Sequence, residues 1–125
     1  MVKALLSILL SLLLIVGAAT FEGWYVRDTF DEFSSQLQTL YRKIEEKSAT
    51  RGDAEAVRTS WNEKKKSLHV WIPHNDISYI DYWLSEGLSL TETGNFDDAR
   101  GKIEVLLEIS RNIPAAYAFS FENIF

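Results

Sequence analysis

Hydrophobic and polar positions divide the chain into one unbroken apolar block followed by four stretches in which apolar residues recur at helical spacing. From Ala4 to Phe21 no side chain is charged, and Leu, Ile, Val and Ala fill nearly every position apart from Ser7, Ser11, Gly17 and Thr20. At about 1.5 Å of rise per residue this run makes a helix of about 27 Å, close to the roughly 30 Å hydrocarbon layer of a bilayer. Beyond it, Phe30, Phe33, Leu37, Leu40 and Ile44 are spaced three, four, three, four, the seam of an amphipathic helix, while Asp31, Glu32, Gln36, Arg42, Lys43, Glu45 and Glu46 form its wet face. Only Gly23 interrupts the passage from the apolar block, so one long, nearly continuous helix is predicted, with Gly23 as the place for a bend.

Three further helices follow from stop and start signals. Gly52 can take the left-handed conformation that ends a helix, and Asp53 can accept from the free N–H groups of the next. A second helix then places Ala54, Val57, Trp61, Leu68 and Trp71 on one stripe, with the stem of Lys64 lying over the skipped position. Pro73 disfavours helix at Ile72, which sets the predicted end near Trp71. His74-Asn75-Asp76 reads as the cap of a third helix with Ile77, Ile80, Leu84, Gly87 and Leu88 inward and Trp83 beside them. Gly87 either admits a close helix approach or only weakens the helix. Thr93-Gly94-Asn95 repeats the stop signal. The fourth helix carries Phe96, Ala99, Ile103, Leu106, Ser110 and Ile113, and Pro114 marks its predicted end.

Short connections imply antiparallel neighbours, so the fold class expected is all-α: a transmembrane helix followed by an up-down bundle of about four helices in two hairpins. The echo of Gly-Asp-Ala-Glu-Ala in Gly-Asn-Phe-Asp-Asp-Ala resembles turns inside tetratricopeptide-type helical pairs, but the 42-residue interval between Gly52 and Gly94 is not their period. The expected organisation is an anchor over residues 1–23, a bundle over 24–114 and an apolar tail over 115–125. The tail holds Tyr117, Phe119, Phe121, Ile124 and Phe125 with only Glu122 charged. Folding back onto the bundle and docking on a partner or the bilayer are its two readings.

Composition narrows the function classes. A chain of 125 residues has room for one small domain after the apolar block, and 13% aromatic residues, four of them Trp, can fill its core. Excluding Lys3 leaves 12 basic and 18 acidic residues, a net charge of -6, which argues against nucleic acid. Lys64-Lys65-Lys66 is one solvated run. The chain has no cysteine, which excludes disulfides, thiolate catalysis and a cysteine-rich zinc site. Gly17-Ala18-Ala19 could serve as a signal cleavage site. The length of the apolar run, its single basic residue and the following Trp24 and Tyr25 favour a retained anchor in the cell membrane. Lys3 before the block and Glu22, Asp28, Asp31 and Glu32 after it place the N-terminus in the cytoplasm and the bundle outside.

Reactive constellations are sparse. His69 and His74 are the available neutral-pH bases, and with Pro73 between them they do not form an i, i+4 metal pair. No Gly-flanked Ser elbow or phosphate loop is present. No catalysis, metal or cofactor is therefore expected. Candidate partner-binding residues are Phe119, Phe121, Ile124 and Phe125, for a membrane-protein partner; Trp61, Trp83 and His74 are candidates for a ligand cleft, although burial of Trp61 in the core is the simpler outcome.

The chain resembles a family of short bacterial proteins known as a domain of unknown function, numbered forty-three sixty-three. The resemblance lies in the apolar start, the heptad helix, Trp61 with Lys64 to Lys66, His74 leading into Asp76-Ile77, and the closing Ser120-Phe121-Glu122-Asn123-Ile124-Phe125. Members more often carry Leu where Phe121 stands. The resemblance implies a membrane-anchored helical protein and offers no activity. The function expected is an accessory or protein-interaction module held at a membrane, with a sensory module for a small apolar or cell-wall molecule as the alternative.

Overall fold

The computed structural model describes residues 1–124, with side chains described for 1–116. Four helices follow in order: α1 (Val2–Glu45), α2 (Arg51–Leu68), α3 (His74–Glu92) and α4 (Phe96–Ile124), with no strand among the described residues. α1 runs its 44 residues without a break, a rod of about 66 Å by helical rise. Its second half forms one corner of the bundle, flanked by α2 and α4, and α3 closes the ring between those two, diagonally across from α1. Successive helices are antiparallel, as the short turns require.

The predicted stripes are the core. Phe30, Phe33, Leu37, Leu40 and Ile44 of α1, Ala54, Val57, Trp61 and Leu68 of α2, Ile77, Ile80, Leu84 and Leu88 of α3, and Ala99, Ile103 and Leu106 of α4 are all buried. Val26 and Thr29 extend the α1 stripe one turn further toward the apolar block. Phe33 lies 4.8 Å from Trp61 and Phe30 6.4 Å from it, ring centre to ring centre. Aromatic pairs at this range contribute about 0.5–1.5 kcal/mol each beyond their buried area. The Trp61 indole N–H donates to Asp81 at 2.6 Å, so the one polar atom of the largest core side chain is satisfied by a carboxylate of α3 that also faces Lys65.

Helix boundaries depart from the predicted ones at four places, each for a local reason. α2 begins at Arg51, not after Gly52: the Thr50 hydroxyl accepts from the Asp53 N–H while the Asp53 carboxylate accepts from the Thr50 N–H, a reciprocal cap. The left-handed residue that ends α1 is Lys47 (φ 57°), so Gly52 lies inside the first turn of α2. α2 stops at Leu68, leaving Trp71 in the turn, where the Ile72 N–H still reaches the Leu68 carbonyl. Pro73, not the His74-Asn75-Asp76 segment, occupies the N-cap of α3, where a missing N–H costs nothing. Finally, α4 continues through Pro114 to Ile124. The turn at Gly94 (φ 80°) stands as predicted.

Gly87 resolves in favour of close approach. A Cβ there would lie 3.0 Å from Ile103 Cδ1 and 3.4 Å from Lys102 Cβ, so the missing side chain sets how near α4 comes to α3. Ion pairs link the helices at the rim: Lys64 to Glu32 at 3.0 Å, Lys43 to Asp53 at 2.8 Å, Arg58 to Glu92 at 2.9 Å and Lys102 to Glu86 at 3.1 Å. Such partly exposed pairs contribute about 0–1 kcal/mol each, so they orient neighbours more than they hold them together. Lys64 keeps only 13% of its side chain exposed, its stem lying against the bundle as expected.

Candidate functional site

α1 is the one helix among the described residues long and apolar enough to cross a membrane, and none of the 18-residue window that meets this test is buried. Eleven large apolar side chains between Val2 and Val16 are at least 41% exposed. On an insertion scale, side chains of this kind together favour the bilayer by on the order of 5 kcal/mol. The block passes without interruption into the packed half of the helix, where Val26 is fully buried.

The bundle itself offers three surfaces. The first is an aromatic patch on α3. Tyr79 and Tyr82 are 53% and 57% exposed and flank the half-buried Trp83 edge-on, at 6.2 Å and 5.7 Å between ring centres. Lys102 of α4 places its ammonium 4.8 Å from the Trp83 ring centre and pairs with Glu86. That lysine, with help from the Tyr82 hydroxyl, holds the Glu86 carboxyl below the usual carboxylate range. The same hydrogen bond to Glu86 raises the Tyr82 phenol, so both groups keep their ordinary charge state at neutral pH. The Trp83 indole N–H is buried without a partner among the described residues.

The second surface is an open groove of about 260 Å³ between α1 and α2, lined by Gln36, Thr39, Leu40, Lys43, Asp53, Ala56 and Val57. It lies below the roughly 300–1,000 Å³ usual for small-molecule sites, and the Lys43–Asp53 pair is part of its lining. The Lys43 ammonium and the Thr50 N–H hold the Asp53 carboxyl below its ordinary value of 3.8. The third is the turn between α2 and α3, where the rings of His69 and His74 stack at 5.8 Å and His74 Nε2 meets the Ser78 hydroxyl at 3.2 Å.

The residues proposed for a ligand cleft are not brought together. Trp61 is 1% exposed and packed inside the core, Trp83 belongs to the α3 patch, and His74 stands at the first position of α3 beside His69. None of the three lines the groove between α1 and α2. Of the proposed partner-binding residues, Phe119, Phe121 and Ile124 fall on the last turns of α4 with their side chains outside the described part of the structure, and Phe125 lies outside the described residues altogether. No cluster of three or more His, Asp or Glu able to hold a metal occurs among the described residues. Sequence reasoning passed over Tyr79 and Tyr82. Their signal was available: Tyr79, Tyr82, Trp83 and Glu86 fall at i, i+3, i+4 and i+7, a helical face set off from the buried stripe of Ile77, Ile80, Leu84 and Leu88.

The family model described as "Domain of unknown function (DUF4363)" matches residues 21–124, from the last residue of the apolar block to the end of α4. The chain belongs to this family. No curated protein and no solved structure matches it. The DUF4363 match begins at Phe21, so the helical bundle with its aromatic patch is the part the family defines, and the apolar half of α1 precedes it.

Proposed function

We propose that this DUF4363 protein is a single-pass protein of the cell membrane whose bundle lies outside the cytoplasm and binds a membrane-protein neighbour as an accessory module. The observation that carries the reading is the α3 patch: Tyr79 and Tyr82, each more than half exposed, stand beside Trp83 on the helix farthest from α1. Tyr and Trp combine large apolar area with a polar tip and few rotatable bonds, which makes them the residue types enriched at protein interfaces. The Glu86–Lys102 pair supplies a charged rim. Retention of the apolar block is supported by its continuity with the packed half of α1. Lys3 on one side and Glu22, Asp28, Asp31 and Glu32 on the other support a cytoplasmic N-terminus. The reading assigns the bundle no enzymatic role, and no metal or cofactor enters it.

Site-specific photocrosslinking in native membranes tests it. A benzophenone side chain at Tyr82 is expected to yield a discrete crosslinked species that disappears in a Tyr79→Ala, Lys102→Glu background. The same probe at the exposed Glu108 of α4 should yield none. Equal crosslinking at the two positions, or none at either, would refute a partner on α3.

A further inference from the structure

We infer that the turn between α2 and α3 is a second membrane contact, with Val70 and Trp71 seated in the phospholipid interface beside the point where α1 leaves the bilayer. The inference rests on the anchored reading above and extends it from one helix to the whole bundle. Its basis is a contact between residues fifty positions apart. Phe21, the last residue of the uncharged run, lies 6.2 Å from Trp71 with the rings edge to face, and it also meets Trp24 and Tyr25 at 6.2 Å and 5.9 Å. The turn is thereby held at the level where a membrane-length helix of this sequence meets water, the level at which tryptophan and tyrosine concentrate in spanning proteins.

Large apolar side chains are exposed at that level, beside the exposed His69 and His74. Phe21 is 51%, Trp24 60% and Val70 74% exposed, and they join the uncovered apolar surface of α1 below them. Trp71 is half-buried, its inner side packed on the core. The other end of the bundle differs. Neither the turn between α1 and α2 (46–50) nor that between α3 and α4 (93–95) exposes a large hydrophobic side chain; Lys47, Ser48, Thr93 and Asn95 occupy them. Only one end of the bundle therefore exposes large apolar side chains, and it is the end from which the membrane-length segment emerges. A lipid surface covers that patch without any further partner. Lys65 and Lys66 in the last turn of α2, with His69 and His74, surround it with groups suited to the headgroup layer.

The absence of cysteine makes a direct test clean. Single variants Val70→Cys, Trp24→Cys, Leu12→Cys and Ser48→Cys of the full chain carry an environment-sensitive fluorophore in phosphatidylcholine–phosphatidylglycerol vesicles, some containing lipids spin-labelled at the headgroup or mid-chain. The expected result at Val70→Cys is a blue-shifted emission quenched by headgroup-level label as strongly as at Trp24→Cys, with Leu12→Cys quenched by mid-chain label and Ser48→Cys by neither. A Val70→Cys signal like that of Ser48→Cys, with Trp24→Cys and Leu12→Cys quenched, overturns the turn contact and leaves the anchor standing. A blue shift without lipid quenching means that a second copy of the chain covers the turn and overturns it too. An unquenched Leu12→Cys removes the anchor itself, and the turn contact with it.

Discussion

Gly87 offers a quantitative test of how the bundle is closed, because two effects of adding one methyl group oppose each other and the structure separates them. In a helix interior, glycine is about 0.8–1.0 kcal/mol less favourable than alanine. Gly101 of α4 has nothing within 4 Å of its would-be Cβ, so Gly101→Ala should show that gain undiminished. At Gly87 the added Cβ meets Ile103 Cδ1 at 3.0 Å, roughly 0.5–1 Å inside the comfortable carbon–carbon distance. Ile103 is fully buried, so it must leave its rotamer or push α4 away, at about 1–3 kcal/mol for overpacking. Gly87→Ala is therefore expected to be between neutral and about 2 kcal/mol destabilising, and less stable than Gly101→Ala by about 1–3 kcal/mol.

The decisive measurement is the cycle with Ile103→Val, which removes the offending methyl group. Alone, Ile103→Val should cost about 0.5–1.5 kcal/mol. Combined with Gly87→Ala it should restore part of the loss, a coupling of about 1 kcal/mol or more in favour of the double variant. Urea unfolding of the full chain in mild detergent, followed by circular dichroism, reads all four corners of the cycle. Additivity within about 0.3–0.5 kcal/mol would refute the claim that Gly87 is there to admit Ile103.

Two further outcomes follow from the core and the α2 cap. Trp61→Phe keeps most of the ring but loses the indole N–H to Asp81; because Asp81 is partly exposed and retains Lys65, the expected cost is about 1–2 kcal/mol against about 3–5 for Trp61→Ala, and equal costs in chemical denaturation would show that the hydrogen bond and not the ring carries the stability. The Asp53 carboxyl is depressed by the Lys43 ammonium and the Thr50 N–H, so its contribution is present above the ordinary value of 3.8 and is lost as pH falls through the lower folded value. Asp53→Asn should accordingly lower the melting temperature at pH 7 and lower it much less at pH 2–3, and a deficit independent of pH would rule out the charged cap.

What the sequence discloses about this fold depends on whether the deciding interaction is periodic, local or distant. The four inward stripes were legible because a helix in a bundle must repeat its apolar residues every three or four positions, and every predicted α1 seam residue from Phe30 to Ile44 is buried. The boundary at Thr50 was also written locally: Thr50-Arg51-Gly52-Asp53 is a capping box with aspartate in the third helical position, and the glycine within it distracted from the threonine that does the capping. The two prolines show where such reading stops. Pro73 and Pro114 each remove one N–H, yet Pro73 stands before a helix and Pro114 within one. The loss of about 3 kcal/mol at Pro114 is opposed by packing, since Ile113 just before it lies against the core, whereas the chain at Pro73 turns to begin α3.

The four tryptophans carry the same argument to the functional surfaces. The stripe of α2 placed Trp61 inside, and it is inside. The same stripe placed Trp71 there as well, but α2 ends three residues earlier, and Trp71 is only half-buried against the core while it meets Phe21 at the exit of the apolar block. Trp24 lies on the same helix as Phe21 and remains exposed, while Trp83 sits half-buried under Lys102 between two tyrosines that its own helix spacing would have revealed. Periodicity identifies which side of a helix is buried; it does not say what the remaining aromatic residues meet, because that depends on which other helix ends at the same height. Here one turn ends level with Phe21, and the lipid contact proposed for that end of the bundle rests on this single coincidence of height.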